Sequence, residues 1–324
     1  MPEVHLIAKR NTQGYFMNLL LSRAWSGYNY TVHFTDARDV YSALQEKAIP
    51  DNTKRLFIVG LPFWSSQYNA VSELLASQRD PQEILKIYHF ATFGDSFPDE
   101  EWQDGFFCWH SMVDEVVSPV QKLADVLLML QAEGKCPCDL EDFFAINETI
   151  IRLVDQYNSY SFEPNTKENT VNLVDLGNLL REDMPRAFSS HWTFEEIMEN
   201  YFYTLLGLRN TRNEYIQQAI KKVRATVINS TVVCFLYAEQ YPNEIAHKLI
   251  DFYRQHNYEK VIVFVGKHTK GDDMFSVRSY GVDASEVAYR LNRGKGKPNT
   301  ATVFLGNSGN ATYNATIQSL SEIL

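Results

Sequence analysis

Long apolar runs are missing from this 324-residue chain: the longest, Thr231 to Ala238 and Lys260 to Gly266, stop well short of the ~20 residues that a membrane span requires. No transmembrane helix is expected. The N-terminus, Met-Pro-Glu-Val-His-Leu-Ile-Ala-Lys-Arg, has no basic flank leading into an apolar stretch and no small-residue cleavage site, so no leader is expected and the predicted location is cytoplasmic. Cysteine is scarce. Cys108, Cys136, Cys138 and Cys234 include one C-x-C pair, with no second pair or histidine couple at zinc-finger spacing, and read as reduced thiols. Positive charge is in deficit, 30 Lys and Arg against 40 Asp and Glu, a net charge of -10. Such a surface repels phosphates at long range, so any polyanion must be met by a local basic patch. Two enzyme signatures are also missing: no G-x-G-x-x-G follows the first strand pattern, and there is no G-x-S-x-G elbow. There is no internal repeat and no long low-complexity tract.

What is present is core-forming material, 45% hydrophobic and 13% aromatic, in a chain long enough for two domains. The first ninety residues alternate strand and helix patterns: Val4 to Ala8, Tyr15 to Ala24, Tyr30 to Phe34, Leu56 to Val59, Tyr68 to Leu75 and Ile84 to His89. That alternation predicts a largely parallel α/β sheet. From about Pro119 to Lys222 the period is mostly 3.6, which predicts a helical middle segment. Strand patterns return at Thr226 to Leu236, Lys260 to Val265, Met274 to Arg278 and Thr302 to Leu305, with helical patterns at Asn243 to His256 and Ala284 to Arg290. The predicted fold class is therefore α/β in two domains, residues 1–224 and a smaller α/β domain over 225–324. The tail after Gly306 ends in a short apolar segment able to pack.

The stretch Met274 to Phe304 carries the most specific motif. Ser276, Arg278 and Ser279 end a strand pattern. Val282, Asp283, Ser285 and Ala288 open a helix, and Arg293-Gly294-Lys295-Gly296-Lys297 follows. This order resembles the substrate-binding domain of DHH phosphoesterases, in which S-x-R-S precedes V-D-x-S-x-x-A and a glycine-rich G-G-G-G-H loop that grips substrate phosphate. Here two of the loop glycines are basic and the histidine position holds Lys297.

With that register, the N-terminal motifs of the same superfamily align over nearly the whole chain, in the manner of its oligoribonuclease and nucleotide-phosphodiesterase branch. The S-H-x-D-x-D-G motif corresponds to Ala8 to Gly14, with Lys9 at the histidine and Asn11 and Gln13 at the aspartates. The strand-end aspartate corresponds to Gly60. D-H-H becomes Tyr88-His89-Phe90, and D-Y-D-x-W becomes Gln156-Tyr157-Asn158-Ser159-Tyr160. The resemblance thus implies a degenerate two-metal centre at Asn11, Gln13, Gly60, His89 and Asn158. Two close divalent cations need several carboxylates, whereas these positions supply three neutral amides, one imidazole and a residue without a side chain. No bound metal and no cofactor are expected.

In the family's geometry, Lys9, Arg10, Arg278, Ser279 and the run Arg293, Gly294, Lys295, Gly296 and Lys297 would face an interdomain cleft as phosphate-binding residues. Fixed cations neutralise a phosphate without metal. The expected function is metal-independent binding of a nucleotide, nucleotide-derived ligand or nucleic acid. One alternative is a metal-independent transferase using an activated nucleotide, such as a nucleotide-sugar for DNA modification; its general base would be His89, Glu239, Asp283 or Glu286. A further alternative is a protein-interaction scaffold. For the loop cations the plain reading is solvated surface, and for His89 a core histidine with Tyr88 and Phe90 filling a vacated pocket. His5, His33, His110 and His191 read as structural, and Phe106 to His110 as core or lid. No oligomeric state follows from the sequence.

Overall fold

The chain begins with an extended run that is apolar at nearly every position, and it folds as a central parallel strand, β1 (Glu3–Lys9), in which Val4, Leu6, Ile7 and Ala8 have no exposure. A strand buried on both faces carries no polar alternation. The computed structural model describes residues 3–47, 49–78, 84–96, 101–104, 107–114, 117–307 and 309–324, with side chains described throughout except at residues 3 and 101–104. Phe106, part of the aromatic stretch singled out above, lies outside the described residues.

The chain divides into two compact units, Met1–Leu208 and Arg209–Leu324. In the first, β1 is followed by helix α1 (Thr12–Ala24), β2 (Tyr30–Thr35), α2 (Val40–Glu46), β3 (Thr53–Val59), α3 (Tyr68–Gln78), β4 (Leu85–Ala91), β5 (Glu101–Asp104) and β6 (Phe107–Val113). The sheet order is β2-β1-β3-β4-β6-β5, parallel throughout except for β5, which runs antiparallel at the edge. The chain moves from β1 to β2 on one side and returns to β3 on the other. The carboxyl ends of β1 and β3 therefore flank a topological switch point, where open parallel sheets build their sites.

Burial divides the sheet's two faces. Leu6, Phe57, Val59, Tyr88 and Phe90 face a helical layer, while Ile7, Ile58, Ile87 and Trp109 pack with Val40, Leu44, Val71 and Leu75 of α2 and α3. Helix α1 lies inside the helical layer and is buried from Gly14 to Leu21, which is why it is apolar around its whole circumference. Against it pack α4 (Pro119–Ala132), α5 (Leu140–Ser159), α6 (Lys167–Leu180) and α7 (Met184–Ala187), and α8 (Phe194–Asn200) adjoins α5. These confirm the helical middle segment. Arg23 of α1 enters this layer without a carboxylate partner among the described residues: it donates to Asn147 Oδ1 at 2.6 Å and the Ser189 carbonyl at 3.0 Å, and burial pushes its pKa down to about 10. The described part of the aromatic stretch is core, with Phe107 and Trp109 buried in β6.

Helix α9 (Phe202–Ile220) leads into the second unit, composed of β7 (Arg224–Ile228), β8 (Thr231–Tyr237), α10 (Pro242–Gln255), β9 (Lys260–Lys267), β10 (Asp273–Tyr280), α11 (Ala284–Asn292), β11 (Lys295–Lys297), β12 (Thr300–Leu305) and α12 (Asn310–Ile323). Its sheet order is β11-β12-β10-β9-β8-β7, with β8 and β9 the parallel pair. Two expectations are corrected here. Thr226 to Leu236 reads as one strand but forms the β7–β8 hairpin, because Asn229 and Ser230 both take positive φ, 46° and 69°, as a two-residue hairpin turn demands. The stretch expected as a glycine-rich loop contains strand β11, paired with β12. One face of this sheet packs Phe264, Phe275, Val277 and Val303 with α11 and α12. The other packs Val232, Val261, Val263 and Val265 with α10 and the end of α9.

Candidate functional site

At the switch point of the first unit, Asn11 caps α1. Its Oδ1 accepts from the Gly14 amide at 2.9 Å, and its own amide donates to the Lys9 carbonyl at 2.8 Å. Gln13, the second residue of the helix, donates through Nε2 to Asn158 Oδ1 at 2.5 Å, joining the start of α1 to the last turn of α5. Gly60 follows β3 with φ +73°, a left-handed conformation that disfavours side chains, and a Cβ there would sit 3.4 Å from Lys9 Cβ and 3.5 Å from Asn11 Nδ2. The structure thus brings Lys9, Asn11, Gln13, Gly60 and Asn158 to one locus.

His89 belongs to the opposite side of the chemistry. It is fully buried on the α2–α3 face of the sheet, its Nε2 donates to the Leu61 carbonyl at 2.7 Å, and its ring lies edge-on to Trp109. Desolvation pushes its pKa down to about 4, against a smaller upward pull from the Leu61 carbonyl. A neutral, sealed imidazole is a core group. Tyr88 and Phe90 stack on Phe57 in the helical layer.

The donor set does not fit a two-metal centre. Asn11 and Gln13 are amides engaged in hydrogen bonds, Asn158 is the amide partner of Gln13, Gly60 has no ligand atom, and His89 is turned to Leu61. Among the described residues no group of three or more His, Cys, Asp and Glu is placed to hold a metal ion. Two residues at the locus remain cationic. Arg10 is held by two carboxylates, Glu182 and Asp36, each at 3.0 Å. Lys9, half-buried at the end of β1, has no carboxylate partner among the described residues. Beside it, the first-turn amides of Thr12 and Gln13 have no intrahelical acceptor.

In the second unit the register of three strands assembles the predicted cations. Arg278 of β10 is paired with Thr300 of β12, which is paired with Lys297 of β11. One row along, Ser276 is paired with Thr302 and Thr302 with Lys295, and beyond that Met274 with Phe304. Cross-strand partners share a face. That face is the α10 side, since Arg278 pairs with Val263 and Ser276 with Val265 of β9. Helix α10 reaches only its inner edge, where Arg278 Nη2 donates to Asn243 Oδ1 at 2.5 Å while Nη1 donates to its neighbour's carbonyl, Val277 O, at 2.8 Å. Lys295, Thr302 and Phe304 are exposed. With strands about 4.8 Å apart, Arg278, Thr300 and Lys297 form a row spanning about 10 Å.

The remaining predicted residues of this region do other work. Ser279 lies on the reverse face, its hydroxyl donating to the Val282 carbonyl at 2.7 Å and the Pro298 carbonyl at 3.1 Å. Arg293 ends α11 in a left-handed conformation, φ 49°, and its side chain is exposed. The Gly294 amide is spent on the Ala288 carbonyl at 2.9 Å. Gly296 is required by close approach: a Cβ would meet Thr300 O at 2.3 Å and Ala301 Cα at 2.4 Å. Sequence reasoning missed Thr300, Thr302 and Phe304, which become visible only when β11 is known to be a strand in register with β12.

The sequence matches no family model and no curated protein. Its fold does match solved structures. One is the DHH domain of a member of the S1p family of ribosomal proteins, at TM-score 0.50 and 12% identity, over 99% of this chain and 87% of that one. Another is RecJ from Thermus thermophilus in complex with Mn2+, at TM-score 0.50 and 11% identity, over 99% of this chain and 52% of that one. The chain therefore spans about half the length of that RecJ. Its fold is similar to that of this DHH domain, with two α/β units and a helical segment between the two sheets in chain order.

Proposed function

We propose that this protein binds the phosphate of a nucleotide, a nucleotide-derived ligand or a nucleic-acid end on the β10–β12–β11 face of its second unit, without a two-metal hydrolytic centre. The observation that carries the reading is the register row: Arg278, Thr300 and Lys297 side by side, with Ser276, Thr302 and Lys295 in the next row. A guanidinium supplies planar donors, the lysines point charge, and the hydroxyls short hydrogen bonds from uncharged donors, which together form a phosphate-recognising set. Arg278 is held by Asn243 and its own backbone, so its fork is oriented before a ligand arrives. The exposed ring of Phe304 beyond the rows offers a face on which a base can stack. The resemblance of Met274 to Phe304 to the DHH substrate-binding domain supports the same assignment.

Metal independence rests on donor chemistry at the other locus, where amides, glycine and a sealed neutral histidine stand in the family's ligand positions. Lys9 beside the start of α1 supports a cationic role there in place of a metal. The test is a thermal-shift screen of nucleotides, nucleotide-sugars and short oligonucleotides, each with manganese and with chelator. Stabilisation by at least one phosphate ligand, equal in both conditions, is expected. Stabilisation only with manganese would refute metal independence, and none by any ligand would favour an interaction scaffold.

A further inference from the structure

A second polar constellation lies in the same unit, at the other end of β10 and on the opposite face of the sheet. Asp273, the first residue of β10, is completely buried. Its Oδ2 accepts from the Tyr237 hydroxyl at 3.0 Å and bonds His268 Nδ1 at 3.1 Å, and its Oδ1 accepts from the Thr269 amide at 3.3 Å. The Tyr237 ring stacks on the His268 imidazole, with centroids 4.5 Å apart and planes 13° apart. The imidazole is thereby fixed in its plane from one side and in its rotation from another, and Nε2 remains without a partner among the described residues. Burial pushes the Tyr237 hydroxyl up to about 12, so it stays a donor to Asp273.

His268 borders a cavity of about 340 Å³ that Lys222, Arg224, Tyr237, Asn310 and Tyr313 also line. That volume is at the lower end of the range that holds small ligands. The Arg224 guanidinium lies 5.2 Å over the Tyr313 ring. The charges do not cancel. Asp273 faces His268, and Glu239 is paired with Lys267 at 3.9 Å. Lys222 and Arg224 have no carboxylate partner among the described residues, so two cations face the cavity.

We propose that this cavity is a second anion site, distinct from the Arg278 face, that takes a small phosphomonoester carrying a flat ring. Lys222 and Arg224 match a dianion, the His268 ring, which donates through Nδ1 to Asp273, donates to it through Nε2 in its imidazolium form, and the aromatic walls hold the ring. A monocarboxylate leaves one cation unmatched, and inorganic phosphate leaves the aromatic walls unused.

The probe is phenyl phosphate, titrated calorimetrically into the full chain carrying Arg278→Ala, which weakens the other site. One saturable site is expected. Inorganic phosphate and benzoate should each bind at least about tenfold more weakly, and adding Lys222→Ala or Arg224→Ala should weaken phenyl phosphate about tenfold, the effect of one charge-assisted contact. Both residues are exposed, and retained thermal unfolding will show that these variants fold. Absence of saturable binding, benzoate or inorganic phosphate binding as tightly as phenyl phosphate, or affinity indifferent to both substitutions would each overturn the proposal.

Discussion

Arg278 and His89 show how one residue's surroundings settle its role. Arg278 is half-buried with its fork held by Asn243, and in the proposed reading removing it costs a ligand contact more than it costs the fold. A charge-assisted hydrogen bond contributes about 1.5 to 3 kcal/mol, so Arg278→Ala is expected to weaken a bound nucleotide phosphate about tenfold or more. Titration of wild type and variant, with urea unfolding alongside, checks this: unchanged affinity places the ligand elsewhere. His89 is the reverse case. Its folded-state pKa of about 4 lies below the ordinary 6.5, so folding favours the neutral ring. The resulting stability is complete above pH 6.5 and is lost as pH falls toward 4. His89→Gln keeps a donor for the Leu61 carbonyl but does not titrate, so its unfolding free energy should fall less steeply between about pH 7 and 4.5. Equal slopes in the two proteins would show that His89 does not carry this dependence.

At the scale of elements, most of the fold was legible because the hydrophobic period states it. The strands from β1 to β4, the central helices, α10, β9, β10 and α11 all lie where apolar residues recur at the period of their element. What escaped depends on backbone choices that side-chain pattern does not record. The β7–β8 hairpin turns on Asn229 and Ser230, neither of them glycine, in left-handed conformations. Glycine adopts such angles without strain, so Ser230→Gly is expected to stabilise the protein by up to about 1 kcal/mol in urea unfolding. A destabilised variant would mean that the serine hydroxyl, and not the turn geometry, dominates there. Strand β11 escaped because its three residues, Lys-Gly-Lys, carry no β-forming side chain. Only pairing with β12 makes them a strand, and with it Lys295 and Lys297 share a face with Arg278. The predicted site was thus legible as a set of residue types, whereas the partners Thr300, Thr302 and Phe304 were not, since cross-strand neighbours cannot be read before the register is known. Gly296→Val should damage this face without removing a charge, because a Cβ there meets the β12 backbone. Loss of nucleotide affinity comparable to that of Lys297→Ala is expected, and unaltered affinity would show that β11 need not be in place.

For the molecule as a whole, a net charge of -10 means that long-range attraction does not bring polyanions in. Binding must come from local cations, and its salt dependence counts them. If Arg278, Lys295 and Lys297 neutralise phosphates of a short single strand, log K should fall against log salt with a slope of about -2, and Lys295→Ala should reduce that slope by about 0.7. The RecJ whose fold this chain shares holds manganese. Here the positions that resemble the DHH metal-ligand motifs carry amides, glycine and a buried histidine, while the second unit presents a row of cations. The most direct test of this separation of phosphate binding from metal is one titration of a fluorescent short oligonucleotide against the full chain, run once in chelator and once in excess manganese, with the oligonucleotide recovered and sized afterwards. Equal affinity in both and an intact oligonucleotide are the expected result; binding that appears only with manganese, or shortened product, would contradict it.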